Sequence, residues 1–437
     1  MSFLGKFKKE LFSDSKPYKN IFTVAICILI VKIFGFAKEA FISNAFGMTN
    51  LLDSFFILML VPVFFKNVFI GAFKAVFIPN YIHAKSKKEF YPNLIALTTF
   101  LSLLLIIIVS LILPYINEYL TRNYSNEISK IVFDNQYLFL ICIPLWSFSA
   151  LISGFLDIKK NFIKSAITPV ISSITIILVL TIFTPSISNL FHAFLFGIFL
   201  EFIYLFLLNP LKFNFSKIDF SNEDTKTLLS QFAPKLISGL IIGLNPIIDQ
   251  TFSSSIGNGA ISSLNYGSKF PVFAISIISI AVGNVLLPYF AELKNKRSSY
   301  VLKELNKKII VIFIFGIFCI AFLFIFGESL IRLFFEHGKF TAEDTKLVNN
   351  ILRMFSYQIP FYILNILLVR FLTAFNLNKF NIFSSSVSVF LNLICNYFLI
   401  KKYGVSGIAL STSVVIFISF SLKYLYILNK FTKHEKK

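Results

Sequence analysis

The chain has 437 residues, of which 56% are hydrophobic and only 14% charged, and a formal net charge of +20. A soluble protein of this length carries about 25% charged residues, so the composition argues against a soluble enzyme and predicts an all-α, polytopic membrane protein. Cys27, Cys142, Cys319 and Cys395 stand in apolar runs with no redox or metal spacing and read as small buried hydrophobes.

The first twenty residues are polar and basic, and no small-residue cleavage site follows them, so no cleavable signal peptide is expected. A spanning helix needs about 20 mostly apolar residues. Twelve runs meet that demand in chain order: 21–45, 52–82, 93–116, 131–156, 163–184, 189–209, 229–252, 261–290, 308–326, 347–375, 381–400 and 405–429. The second, eighth and tenth contain prolines or charges and are expected to tilt or kink. The expected organisation is a basic segment 1–20, a first lobe 21–209, a linker 210–228, a second lobe 229–429 and a basic tail 430–437. With the N-terminus inside, the cytoplasmic segments hold about 25 Lys and Arg and the outer loops about 7. That bias predicts both termini cytoplasmic. It also assigns the +20 charge to topology and anionic headgroups, with no nucleic-acid partner.

The chain repeats itself at about half its length. In "SFFILMLVPVFFKNVFIGAFKAVFIPNYI" (54–82), Pro62 and Pro79 are seventeen apart, as are Pro271 and Pro288 in "SLNYGSKFPVFAISIISIAVGNVLLPYFA" (263–291). Ile143-Pro144 and Phe155 correspond likewise to Ile359-Pro360 and Phe371. The shifts, 209 and 216, predict two parallel six-helix copies.

Charges inside apolar runs mark bundle interiors or watery cavities. The first lobe offers Lys32, Lys38, Glu39, Lys66, Lys74 and Glu201, with Asp53 at a helix start; the second offers Lys235, Asp249, Lys269 and Arg370. Lys66 and Lys74, eight apart, are expected on one helix face. A cavity lined by Lys38, Lys66 and Lys269 would suit a phosphate or pyrophosphate. Simpler readings stand beside it. Lys38 and Glu39 could form a purely structural ion pair. Lys32, Lys74 and Lys235 could snorkel or pack. Asp249 could pair with a nearby lysine. Glu201 could carry a proton or pair with a lysine. His83, His192, His337 and His434 lack metal spacing, no P-loop occurs, and no loop offers a catalytic group, so no catalytic or metal site is expected. "TAED" (341–344) reads as a capping box opening the tenth run.

The segments "GFAKEAFISNAFG", "LLDSFFILMLVP", "GAFKAVFIPNYI", "IIDQTFSSSIGNGAISSLNYGSKF", "VGNVLLPYFAEL" and "LIRLFFEHGKFTAEDT" together resemble the lipid II flippase (MurJ/MviN) family. That family belongs to the multidrug/oligosaccharidyl-lipid/polysaccharide exporter superfamily. The resemblance implies a V-shaped pair of six-helix lobes in a bacterial cytoplasmic membrane. It implies a lipid-linked, pyrophosphate-bearing saccharide as cargo, moved from the inner to the outer leaflet by alternating access. On this reading Lys38, Lys66 and Lys269 attract the pyrophosphate, while Glu39, Asp53 and Asp249 pair or gate. Glu201 or the membrane potential couples the cycle, with no cofactor. The expected partners are the cargo, membrane lipids and the cell-wall synthesis machinery, with the transporter a monomer. The family pattern has Arg-Asp where this chain has Lys38-Glu39, and Arg where it has Lys66 and Lys269; charge is kept but the bidentate fork is not. Family members carry two further C-terminal helices, which leaves a flippase for another lipid-linked oligosaccharide as the alternative, with an ion-coupled drug exporter behind it.

Overall fold

The computed structural model describes residues 16–209, 218–257 and 259–433. Most of the basic N-terminal segment, residues 210–217 of the expected linker, and the last four residues with His434 lie outside the described residues. Helices account for nearly all of the described chain. They are α1 (Lys16–Phe46), α2 (Asn50–Phe65), α3 (Gly71–His83), α4 (Lys87–Thr121), α5 (Asn126–Asn135), α6 (Cys142–Ile158), α7 (Phe162–Ala166), α8 (Pro169–Ile182), α9 (Ile187–Leu207), α10 (Glu223–Ser254), α11 (Ala260–Glu292), α12 (Ser298–Phe335), α13 (Ala342–Ser356), α14 (Gln358–Ala374), α15 (Asn378–Tyr403) and α16 (Val405–Lys433). Among the described residues, ten continuous helical stretches are long and apolar enough to cross a bilayer. The other two expected runs coincide with α1 and α11, of 31 and 33 residues. The expected capping box is present: Thr341 Oγ1 accepts from the Asp344 amide at 3.2 Å, and Asp344 Oδ2 accepts from the Thr341 amide at 2.8 Å.

The chain forms two compact units, Met1–Ala45 with Ile57–Tyr119 and Ser129–Gly239, and Phe46–Phe56 with Leu120–Ile128 and Leu240–Lys437. The first unit is built on an aromatic core in which Phe69 and Phe73 meet Phe232, and Phe77, Tyr81 and Tyr91 surround Phe155. Phe232 lies on α10, so the opening turns of that helix belong to the first unit. Polar groups fasten the same end. Asn93, fully buried on α4, bonds both backbone groups of Asp219 (2.6 and 2.8 Å) and the Thr225 hydroxyl (3.0 Å). Lys85 pairs with Glu223 at 2.5 Å, and its amide donates to Asp224. The carboxylate of Glu223 holds the Lys85 ammonium above its usual range, and hydrogen bonds from Ser221 hold Asp219 below the usual carboxylate range. This clasp carries the unit boundary past the connector to Gly239.

In the second unit Phe371 is the hub, in contact with Phe290, Phe375 and Phe431. The repeat expresses itself here as matching packing. Tyr81 and Phe290 are 209 residues apart and Phe155 and Phe371 are 216 apart. Tyr81 meets Phe155 edge-on at 4.8 Å and 79°, and Phe290 meets Phe371 at 5.1 Å and 78°.

The long run 52–82, with its prolines and lysines, is expected to tilt or kink. It is interrupted by a π-helical turn, Lys66–Ile70, four residues after Pro62. Proline lacks the amide that would continue the ladder, and a π-turn absorbs the mismatch with one residue of extra winding.

Candidate functional site

Lys66 opens the π-turn. Its side chain is exposed, and its ammonium stands 4.4 Å from the ring centre of Trp146, which is buried on α6. Phe65, Phe69, Ile70, Leu105, Ile143 and Ser147 line the same small cavity. Lys74, eight residues on, reaches the same helix: its ammonium pairs with Asp157 at 2.7 Å and donates to Ser153 at 3.1 Å. Trp146, Ser153 and Asp157 recur at intervals of seven and four, one stripe of α6, so the two lysines do share a face. They differ in what they meet. Lys74 is neutralised by a carboxylate, as a packing lysine is, whereas Lys66 rests on an aromatic face.

Two more charged helices converge on Lys66. On α1, Lys38 bonds its neighbour Glu39 at 3.0 Å, and Glu39 is buried while Lys38 keeps about a quarter of its side chain exposed. On α9, Glu201 is buried and accepts a short hydrogen bond from Ser172 of α8. Lys38 and Glu201 both lie within electrostatic range of Lys66. The first unit therefore gathers Lys38, Glu39, Lys66 and Glu201, with Glu39 engaged by Lys38 and Glu201 by Ser172. Lys32 is half-buried on α1, and Lys235 is exposed on α10.

The acids of the second unit stand in a different chemistry. Asp53 is fully buried, and its carboxylate accepts from the Tyr124 hydroxyl and from the Ser262 amide, each at 2.8 Å. It was expected to pair with a cation and exchange partners; its hydrogen bonds are instead to neutral donors, and one of them is the third amide of α11. Asp53 thus supplies from outside the helix the acceptor that an N-terminal amide lacks. The reason is local. Gly259, the residue before α11, is left-handed at φ +74° and offers no capping side chain, and its amide donates to Asn50 at 3.2 Å. Gly259 and Asn50, like Ser262 and Asp53, are 209 residues apart, so repeat-related positions bond one another. For Asp249 a nearby lysine was one possible partner. Asp249 accepts from Asn396 of α15 and Thr412 of α16, each at 2.9 Å, and Asn396 also donates to Asn392 at 2.6 Å. Lys269 on α11 and Arg370 on α14 are half-buried in the second unit.

Three groups give little warning in the sequence. Trp146 is a lone indole within a long apolar run. Lys423, 5% exposed on α16, donates to Asn365 at 2.8 Å and Ser419 at 2.7 Å. Arg353 on α13 lies over the Phe324 ring at 5.6 Å. A signal for the polar interior was present: the buried face of α15 is Ser384, Ser388, Asn392 and Asn396, a strict four-residue repeat of polar side chains in an apolar helix. In a membrane such a stripe faces other helices rather than lipid. Among the described residues no cluster of metal-ligating side chains occurs.

Comparison with known proteins matches residues 42–437 to the family model described as lipid II flippase MurJ. A probable lipid II flippase MurJ of Buchnera aphidicola subsp. Schizaphis graminum is 29% identical over 431 residues, covering 93% of this chain and 82% of the relative. A solved lipid II flippase MurJ in an inward closed conformation superposes with a TM-score of 0.80 at 24% identity, over 94% of this chain and 89% of that one. An inward-facing multidrug-resistance transporter of the MATE family gives 0.75 at 14% identity, over 94% and 99%, which speaks for the fold alone.

Proposed function

The chain belongs to the lipid II flippase MurJ family, and from that membership we propose that it carries lipid II from the inner to the outer leaflet of a bacterial cytoplasmic membrane, with Lys66 as the principal contact of the pyrophosphate. The observation that carries the residue assignment is the setting of Lys66: an exposed side chain whose ammonium is seated on an indole, with no carboxylate in direct ion-pair contact among the described residues. Lys38 supports it from α1, and Lys269 is the corresponding candidate on α11. The headgroup crosses through polar protein while the polyprenyl chain stays in lipid, and no covalent bond in the cargo is broken. Two states of comparable energy, biased by ligand or ion, are required. Glu201 is the candidate coupling group, and the membrane potential supplies about 2.3 kcal/mol per charge per 100 mV. Both termini are placed in the cytoplasm by the lysine bias, and the transporter works as a monomer beside the cell-wall synthesis machinery.

The test is complementation. A bacterium depleted of its own lipid II flippase receives this gene, or Lys66→Ala or Lys269→Ala at matched membrane expression. Growth with the unmodified gene and lysis with Lys66→Ala are expected. Growth with Lys66→Ala removes Lys66 from the transport path. Failure of the unmodified gene despite good expression moves the cargo to another lipid-linked saccharide.

A further inference from the structure

We propose that Trp146 is a positioning residue for anion capture: its buried ring fixes the Lys66 ammonium without neutralising it. The proposal deepens the reading of Lys66 as the pyrophosphate contact and rests on it.

Two lysines meet one stripe of α6 in contrasting ways. Asp157 and Ser153 meet Lys74 with an ion pair and a hydrogen bond, which spends the charge of that lysine inside the protein. Trp146, on the same stripe, meets Lys66 with a π face at 4.4 Å. An aromatic face attracts a cation through its quadrupole and carries no net charge. A carboxylate in the same place would compete with every incoming phosphate oxygen and leave a neutral pair. An aliphatic side chain would leave the long, four-carbon lysine stem free to swing, and ordering it on binding would cost affinity. Trp146 escapes both costs. Its own position is fixed from behind: it is 5% exposed, and Phe194 packs edge-on against it at 6.4 Å. The π-turn completes the device, because Lys66 is its first residue and the extra winding starts where the ammonium must leave the helix. The next acids are one step removed, Glu201 held by Ser172 and Glu39 by Lys38.

Trp146 is the single tryptophan of the chain, so its emission reports on this position alone. The experiment uses the full chain in lipid nanodiscs, with undecaprenyl pyrophosphate as the probe and undecaprenol as the uncharged control. Addition of the pyrophosphate is expected to change the tryptophan emission of the unmodified protein, and Lys66→Ala to abolish that change. Binding of radiolabelled probe is then compared across variants. Trp146→Phe keeps a π face and is expected to bind within about threefold of the unmodified protein, while Trp146→Leu binds undecaprenyl pyrophosphate about tenfold more weakly. Neither variant is expected to alter binding of undecaprenol, which a merely structural role for the indole would change equally. Trp146→Leu with unmodified pyrophosphate affinity, alongside a defective Lys66→Ala, overturns the positioning role and leaves the function intact. Equal weakening of both lipids, or of Phe and Leu variants alike, also overturns it. Unmodified affinity in Lys66→Ala overturns the assignment of Lys66 and this proposal together.

Discussion

Replacing Asp53 separates two roles that a buried carboxylate can play. If it caps α11, Asp53→Ala strands two donors bonded at 2.8 Å, the fully buried Ser262 amide and the half-buried Tyr124 hydroxyl. A buried donor left without a partner costs about 1–3 kcal/mol, and a half-buried phenol less, so a loss of about 2–4 kcal/mol is set. Asp53→Asn keeps both contacts. Its carbonyl oxygen still accepts from Ser262, and its amide donates to the phenol oxygen, which can accept as well as donate. Only the charge assistance goes, about 1–2 kcal/mol. The assay is the unfolding midpoint of purified protein in mild detergent, read with complementation at matched expression. The expected order is unmodified, then Asn close behind, then Ala far below, with Asn still supporting growth. An Asn variant as unstable as Ala would refute the cap. A stable Asn variant that fails to support growth would show that the negative charge itself is used, as the sequence reading supposed.

Gly259→Ala places a Cβ 2.4 Å from the Met48 carbonyl at a φ of +74°; the left-handed backbone alone costs about 1–2 kcal/mol, and a large drop in folded yield is expected in membrane extracts. Lys74→Ala, Asp157→Ala and the double variant form a thermodynamic cycle; because both side chains are partly exposed, at 32% and 22%, a coupling of about 1 kcal/mol is expected, and a value near zero would dismiss the pair as structural glue. Asn93→Ala removes three hydrogen bonds that hold Asp219 and Thr225, and faster proteolysis of the connector at residues 218–226 is expected at neutral pH. The depressed Asp219 adds stability that is present above the unfolded aspartate value and is lost as pH falls through its lower folded value. The raised Lys85 adds stability that is present below the unfolded lysine value and is lost as pH rises through its higher folded one. Protease resistance of that connector should therefore be flat from roughly pH 5 to 9, and a loss near pH 6 or 7 would count against the assignment.

Much of the fold was legible because the bilayer is a harsh solvent: it demands long apolar helices, and all twelve runs fall on helical segments, ten of them long and apolar enough to cross among the described residues. The repeat was legible through prolines and one phenylalanine, because backbone interruptions and core hubs tolerate few alternatives. The partners of the charges were not. Lys66 and Lys74 have the same residue type, the same helix and the same face, and nothing nearby in sequence tells that one meets Trp146 and the other Asp157, about 80 residues away. Asp53 and Asp249 looked like ion-pair partners because charge was the visible property, whereas neutral donors on distant helices satisfy them. Lys423 escaped notice because it stands near the basic end of its helix, where a lysine ordinarily snorkels. The polar stripe of α15 was readable and was passed over in favour of formal charge.

Asp53 and Ser262 are separated by 209 residues, and the chain is made in one direction. At roughly 5–20 residues per second, about 10–40 s of synthesis lie between them. Tyr124 emerges earlier, 71 residues after Asp53, and can hold the carboxylate while α11 is still unmade. The segments Phe46–Phe56 and Leu120–Ile128, threaded early, thus wait for the unit they complete. A ribosome that stalls between residues 240 and 260 leaves the first unit made and carrying two strips of a second unit that has yet to follow.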